Sequence, residues 1–156
     1  MYKQQLTKEQ ALPKARQYCA YQERCHSEVK EKLYSLGLYK KEVEELLASL
    51  VEENFLNEER FAIVFAGGRF RIKHWGKVKI RHELKQKQVS EYCIKKALQE
   101  INTEDYRQTL YKLAEGKSKL LKKEKNIFIK RRKLQDYLLQ KGFETAMVQA
   151  AVKDII

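Results

Sequence analysis

The sequence predicts an all-α protein: a tandem array of three three-helix repeats, about nine helices in all, elongated and curved. Three observations lead there. Among 156 residues there are one proline and six glycines, while 43% are hydrophobic and 35% charged, a balance that suits helices with a real core and an ion-dense surface. Six apolar positions, Val29, Leu33, Leu38, Val43, Leu46 and Leu50, recur as Ile80, Leu84, Val89, Ile94, Ala97 and Ile101, and again as Leu134, Leu138, Phe143, Val148, Ala151 and Ile155. Within each copy the apolar residues follow helical spacing, as in Val43/Leu46/Leu47/Leu50.

The elements follow in order. The repeats span 8–56, 57–102 and 103–156, and their first helices are expected near 10–24, 58–72 and 104–122. Pro13 must fall in the first turn of its helix or kink it. Second helices show i, i+4 apolar pairs such as Val29/Leu33 and Leu134/Leu138, and Ser27 and Ser90 precede periodic stretches as candidate N-caps. Gly37 and Gly142 stand where a helix must end with positive φ, and Gln88 occupies that place in the middle copy. The third copy is three residues longer, which is expected to lengthen its first helix or the connection at Asn126. A helix trio of about 45 residues is marginal alone, so stacking on neighbours supplies part of its stability.

Composition also excludes classes. No apolar run approaches the roughly 18 residues of a membrane span, and the stretch from Met1 to Pro13 is too polar for a secretory signal, so a cytoplasmic protein is expected. Cys19, Cys25 and Cys93 are too few and irregular for a disulfide framework, and Cys19 and Cys93 fall on apolar stripes as core residues. Three near-motifs fail on inspection. Gly116-Lys117-Ser118 has Tyr111 where a phosphate loop needs glycine; His82-Glu83 has Gln86 where a zinc clamp needs histidine; Gly76-Lys77 is followed by Val78, with Arg71 at the earlier glycine position. With no Ser/His/Asp set either, no enzyme, cofactor or metal is expected.

Charge divides the chain. Residues 1–57 hold 9 basic and 9 acidic residues, whereas 58–156 hold 24 and 12, so the whole excess of +12 lies in the last two repeats. Positions 69–87 carry eight bases against Glu83 alone, and 117–133 carry nine against Glu124 alone. Such runs can be mere solvated faces, but two dense ones beside a neutral segment point to a polyanion.

Three stretches then resemble one family. Leu56-Asn57-Glu58-Glu59-Arg60-Phe61-Ala62 resembles the Leu-Asp-Asp/Glu-x-Arg-Phe-Ala junction of the RecX family of regulatory proteins. Gly76-Lys77-Val78-Lys79-Ile80-Arg81-His82-Glu83-Leu84 resembles its Gly-Pro-x-Arg/Lys-Ile-x-x-Glu-Leu stretch, and Arg24 to Leu33 its Arg-x-x-Ser-x-x-Glu-Leu-x-x-Lys-Leu segment. Lys77, Gln88 and Asn57 depart from the usual proline, glycine and aspartate, at turns or caps. The resemblance implies a cytoplasmic modulator of RecA recombinase, engaged in DNA repair, homologous recombination and the SOS response. Such a protein would lie, as a monomer, on a RecA filament with single- or double-stranded DNA and damp its ATPase, extension and strand exchange.

The candidate contact residues are the bases of both runs. In the middle repeat they are Arg69, Arg71, Lys73, Lys77, Lys79, Arg81 and Lys85, bracketing a helix start whose free N–H groups would favour phosphate. Trp75 joins them, either to stack on a base or partner, or to form a hydrophobic staple. In the third repeat they are Lys119, Lys122, Lys123, Lys130, Arg131 and Lys133. The residues alone leave two other readings open: a stand-alone helical DNA- or RNA-binding module, and a scaffold whose basic face meets an acidic protein.

Overall fold

The structure is a computed structural model that describes residues 5–156; the part of the polar N-terminal stretch before Gln5 lies outside them. Nine helices and no strand occur among the described residues: α1 Lys8–Tyr21, α2 His26–Ser35, α3 Lys40–Glu52, α4 Glu58–Lys73, α5 Lys77–Gln86, α6 Glu91–Gln99, α7 Thr103–Leu120, α8 Ile127–Gln140 and α9 Thr145–Ile155. Seventeen of the eighteen repeat positions are buried, Ile155 being the half-buried exception, so the sequence period is the period of the core.

The chain forms two compact units, residues 1–65 with 84–96, and residues 66–83 with 97–156. In the first, α1, α2 and α3 pack mutually around Ala11, Ala15, Val29, Leu33, Val43, Leu46 and Leu50. Small Ala11 and Ala15 on α1 let the larger leucines of its neighbours approach. Thr7 caps α1, accepting the Gln10 N–H at 3.2 Å while its own N–H donates to the Gln10 side chain at 3.0 Å. Asn57 caps α4 through the Arg60 N–H at 2.9 Å. The Arg60 guanidinium in turn ties down the preceding loop, donating to Glu23 and to the Asn54 carbonyl, 3.1 Å away.

Two local expectations change. The cap position of α2 is Cys25, not Ser27: the Glu28 carboxylate accepts the Cys25 N–H, and Ser27 instead donates its hydroxyl to the Lys87 carbonyl at 2.8 Å. Pro13 lies in the second turn of α1, on an exposed position, and not in the first. Ser90 does cap α6, accepting the Cys93 N–H at 3.3 Å. The three cysteines are free and buried.

In the second unit α7, α8 and α9 pack mutually, joined by the end of α4 and the start of α5. Here two backbones touch. The Gly76 N–H donates to the Lys141 carbonyl at 2.8 Å and the Val78 N–H to the Gly142 carbonyl at 2.9 Å. A Cβ on Gly76 would lie 2.2 Å from the Gly142 carbonyl, and one on Gly142 would lie 2.2 Å from the Lys79 Cβ. Beside this crossing, buried Tyr106 packs between Phe70 and Phe143, with ring centroids 5.7 and 5.1 Å away. Its hydroxyl accepts the Lys77 N–H at 2.9 Å and donates to the Glu144 carboxylate. Burial first, and then the Glu144 hydrogen bond, push its phenol far above the ordinary tyrosine range, so it stays a neutral donor.

Three stability changes follow. Gly76→Ala should destabilise by about 3 kcal/mol, because backbone on both sides of the crossing would have to part. Tyr106→Phe should cost about 1–3 kcal/mol, leaving the Lys77 N–H and Glu144 without their partner. Gln88 has φ 63°, matching the positive φ of Gly37 (88°) and Gly142 (98°) at the equivalent helix ends. Gln88→Gly should therefore stabilise, by up to about 1 kcal/mol, as the left-handed strain is relieved. Urea midpoints measured at constant slope check all three.

Candidate nucleic-acid interface

The basic residues of the middle repeat gather where α4 ends and α5 begins. Phe70 anchors the last turn of α4 in the core, and the Trp75 N–H closes back onto the Arg69 carbonyl at 3.2 Å. This tight reversal sets half-buried Trp75 among cations from both helices. The Lys79 ammonium lies 4.5 Å from the indole ring, the Lys73 ammonium 5.4 Å and the Arg69 guanidinium 5.5 Å. A cation held over a ring face is ordered by the ring's quadrupole and not neutralised by it, as for Lys73 and Lys79 here. Trp75 is thus the platform on which three bases are arranged.

The remaining bases of that run diverge. Arg71 folds back across Gly67, where an added Cβ would meet its guanidinium at 2.8 Å. It lines an open cleft of about 600 Å³, together with His74, Arg107, Tyr111 and Lys112. Lys77 extends over the Tyr106 ring, 4.9 Å from its centroid. Arg81 is half-exposed on α5. Lys85 belongs to the first unit and sits 3.8 Å from Glu91, so it is not gathered with the others.

The N–H groups expected to be free at the start of α5 are already engaged. At the start of α5 the Lys77 N–H goes to Tyr106 and the Val78 N–H to Gly142. These donors hold the fold together and are not available to phosphate, so attraction there rests on side chains.

The second run occupies one helical hairpin end, where α7 turns into α8. Lys119 is on the last turn of α7, Lys122 and Lys123 are in the connection, and Lys130, Arg131 and Lys133 are on the first turns of α8. Asn126 caps α8, accepting the Phe128 N–H at 3.0 Å and the Ile129 N–H at 3.3 Å. Lys133 reaches Glu124 at 3.5 Å, and Arg131 donates to the Ile156 carbonyl at 3.3 Å. Gly116-Lys117-Ser118 lies inside α7, a helix and not a strand-to-helix turn.

Two groups escaped the sequence reading. His74, Arg107 and Lys112 line the cleft with Arg71; Arg107 and Lys112 are scattered along mixed-charge α7 and leave no run to notice. Leu120, Ile127, Phe128 and Ile129 are exposed at the hairpin end, although their apolarity suggests core.

Against known proteins, two family models match in order: the second three-helix domain of RecX over residues 57–98, and the third over residues 104–152. Regulatory protein RecX of Bacillus cytotoxicus is 27% identical over 99% of this chain and 56% of its own length. That of Clostridium perfringens strain 13 is 36% identical over 75% of this chain and 55% of its own. The chain thus spans about half the length of these curated relatives. In fold it resembles the crystal structure of RecX from Lactobacillus salivarius, with TM-score 0.86 and 21% identity over 95% of this chain and 96% of that one. A second structure, of a regulatory protein RecX, superposes with TM-score 0.81 and 24% identity over 94% of this chain and 73% of that one. The tandem trios, the family models and the named relatives agree: the chain belongs to the RecX family of regulatory proteins.

Proposed function

We propose that this protein regulates a RecA-type recombinase by binding its filament on DNA, and that it slows ATP hydrolysis, filament extension and strand exchange. In this reading the protein is a cytoplasmic monomer without catalytic activity of its own, working in recombinational repair and the SOS response. The three repeats divide the labour: 57–102 and 103–156 carry the polyanion contacts, and 8–56 contributes little charge.

The cation cluster on Trp75 carries the proposal. Arg69, Lys73 and Lys79 come from two helices, so their convergence is a product of folding and not of a solvated run. A long filament offers phosphates at regular intervals, and a long basic surface profits from many weak contacts at once. Regulation requires no more chemistry than occupancy: a protein held against the filament hinders the next subunit and the motions that accompany hydrolysis. The matches to the second and third RecX domains fall on the two basic repeats, which supports placing the function there.

The test is RecA ATPase on single-stranded DNA with this protein at well below one copy per recombinase. The wild type should slow hydrolysis. Lys73→Glu with Lys79→Glu should weaken this effect at least ten-fold with helicity retained. At exposed Lys73 the stability shift should be about 0.5 kcal/mol, and melting temperature is measured alongside because Lys79 is half-buried. Its binding to single-stranded DNA should also lose salt dependence, by about 0.7 in log–log slope for each phosphate contact removed. Lys30, Lys40 and Lys41 changed to glutamate provide the comparison in the first repeat. Full activity of the Lys73/Lys79 variant, with loss in the first-repeat variant, would refute the assignment.

A further inference from the structure

We propose that the α7–α8 hairpin end is a base-contacting site for single-stranded nucleic acid, with the Phe128 ring stacking on an unpaired base; this rests on the DNA-binding part of the proposed function. The repeats themselves single out this feature. In the first two repeats the second helix begins three residues before its first core position, His26 before Val29 and Lys77 before Ile80. In the third, α8 begins seven residues before Leu134, a whole extra turn consisting of Ile127 to Lys130. The first helix is lengthened to match. α1 ends two residues after its last buried residue, Cys19, and α4 three after Phe70, whereas α7 runs six beyond Ala114. From 115 to 133 no residue is buried, so this hairpin end adds nothing to the core.

Its composition tells what it suits. Phe128 is 76% and Leu120 78% exposed, with Ile127 and Ile129 near 45%. Around them Lys119, Lys122, Lys123, Lys125, Lys130 and Arg132 make no ion pair with any carboxylate among the described residues. The one acid between 117 and 133, Glu124, is turned to Lys133 and to the Asn126 N–H. An apolar tip within a collar of uncompensated cations is complementary to a chain that is anionic along its backbone and apolar on its faces. Single-stranded nucleic acid has that character; in a duplex the faces are already stacked on one another. An acidic protein could satisfy the collar, but six unpaired cations within fifteen residues match the phosphate spacing of a strand better than dispersed carboxylates.

The test compares two oligonucleotides of equal length, oligothymidylate and its abasic counterpart, titrated with the full chain and with Phe128→Ala and Phe128→Trp. Wild type should bind oligothymidylate more tightly than the abasic strand. Phe128→Ala should lose roughly 5- to 100-fold on oligothymidylate, the usual effect of removing one stacking ring, with little change on the abasic strand, and Phe128→Trp should retain binding. Circular dichroism and melting must match wild type, as they should for so exposed a side chain. Equal losses on both strands, or none on either, would overturn base stacking while leaving the phosphate contacts standing. An Ala variant that binds both strands normally but no longer slows the recombinase would make the tip a protein contact instead. Failure of wild type to bind either strand would remove both this inference and the DNA-binding part of the reading beneath it.

Discussion

Within the second unit, everything depends on two backbones approaching with nothing between them. Gly76 and Gly142 let the start of α5 rest directly on the end of α8, and the two hydrogen bonds from Gly76 and Val78 fix it in register. Backbone bonds between elements are common in sheets but unusual between helices, where side chains normally keep axes about 8–10 Å apart. Glycine at both places removes that spacer. Tyr106 then locks the contact, because its hydroxyl joins the next free N–H of α5, on Lys77, to Glu144 at the entrance to α9. The result positions Lys73, Trp75 and Lys79 on either side of a rigid crossing. Their geometry follows from an uncharged constraint lying beneath them.

That constraint shapes the electrostatics. A helix N-terminus attracts anions through its unsatisfied N–H groups and partial positive charge. At the start of α5 the Lys77 and Val78 N–H groups already have acceptors, so in the proposed function any pull on a phosphate would come from the ammonium groups held by the indole. Such an interface adapts to its target and is sensitive to salt, which suits a contact with a repeating backbone better than recognition of one fixed phosphate.

The core was legible in the sequence because burial repeats faithfully: the position held by Leu33, Leu84 and Leu138 is fully buried in every copy. Gln88 shows how far that logic reaches, since a residue unlike glycine still adopts the backbone of Gly37 and Gly142. Local chemistry was harder to read. Ser27 looks like a cap, yet the helix begins two residues earlier, where Glu28 can reach back to Cys25. The occupied donors of α5 depend on Tyr106 and Gly142, which are distant in sequence, and no run of residues announces them. The hairpin end was hidden for the opposite reason. Ile127, Phe128 and Ile129 carry an apolar signal ordinarily read as core, and only the register of Leu134 reveals that they lie a full turn outside it.

Net charge divides the chain so sharply because carboxylates match cations in number in the first repeat and not in the later two. In the first repeat Lys8 reaches Glu45 and Arg16 reaches Glu53, both at 2.7 Å. These hydrogen bonds hold the Glu45 and Glu53 carboxyls below their ordinary range, so the pairs remain charged and mutually cancelled near neutrality. In the later repeats several cations lie over rings, Lys79 on Trp75, Lys77 on Tyr106, Arg107 on Tyr111 and Lys117 on Tyr137, as Arg24 does on Tyr18 in the first. A ring orders a cation through its quadrupole but leaves the monopole intact. Beyond about a Debye length the first repeat is therefore electrically quiet, while the second and third still project a positive field. The repeats thus differ in surface composition, with carboxylates matching cations in the first and an excess of cations in the later two, while the buried positions stay apolar throughout.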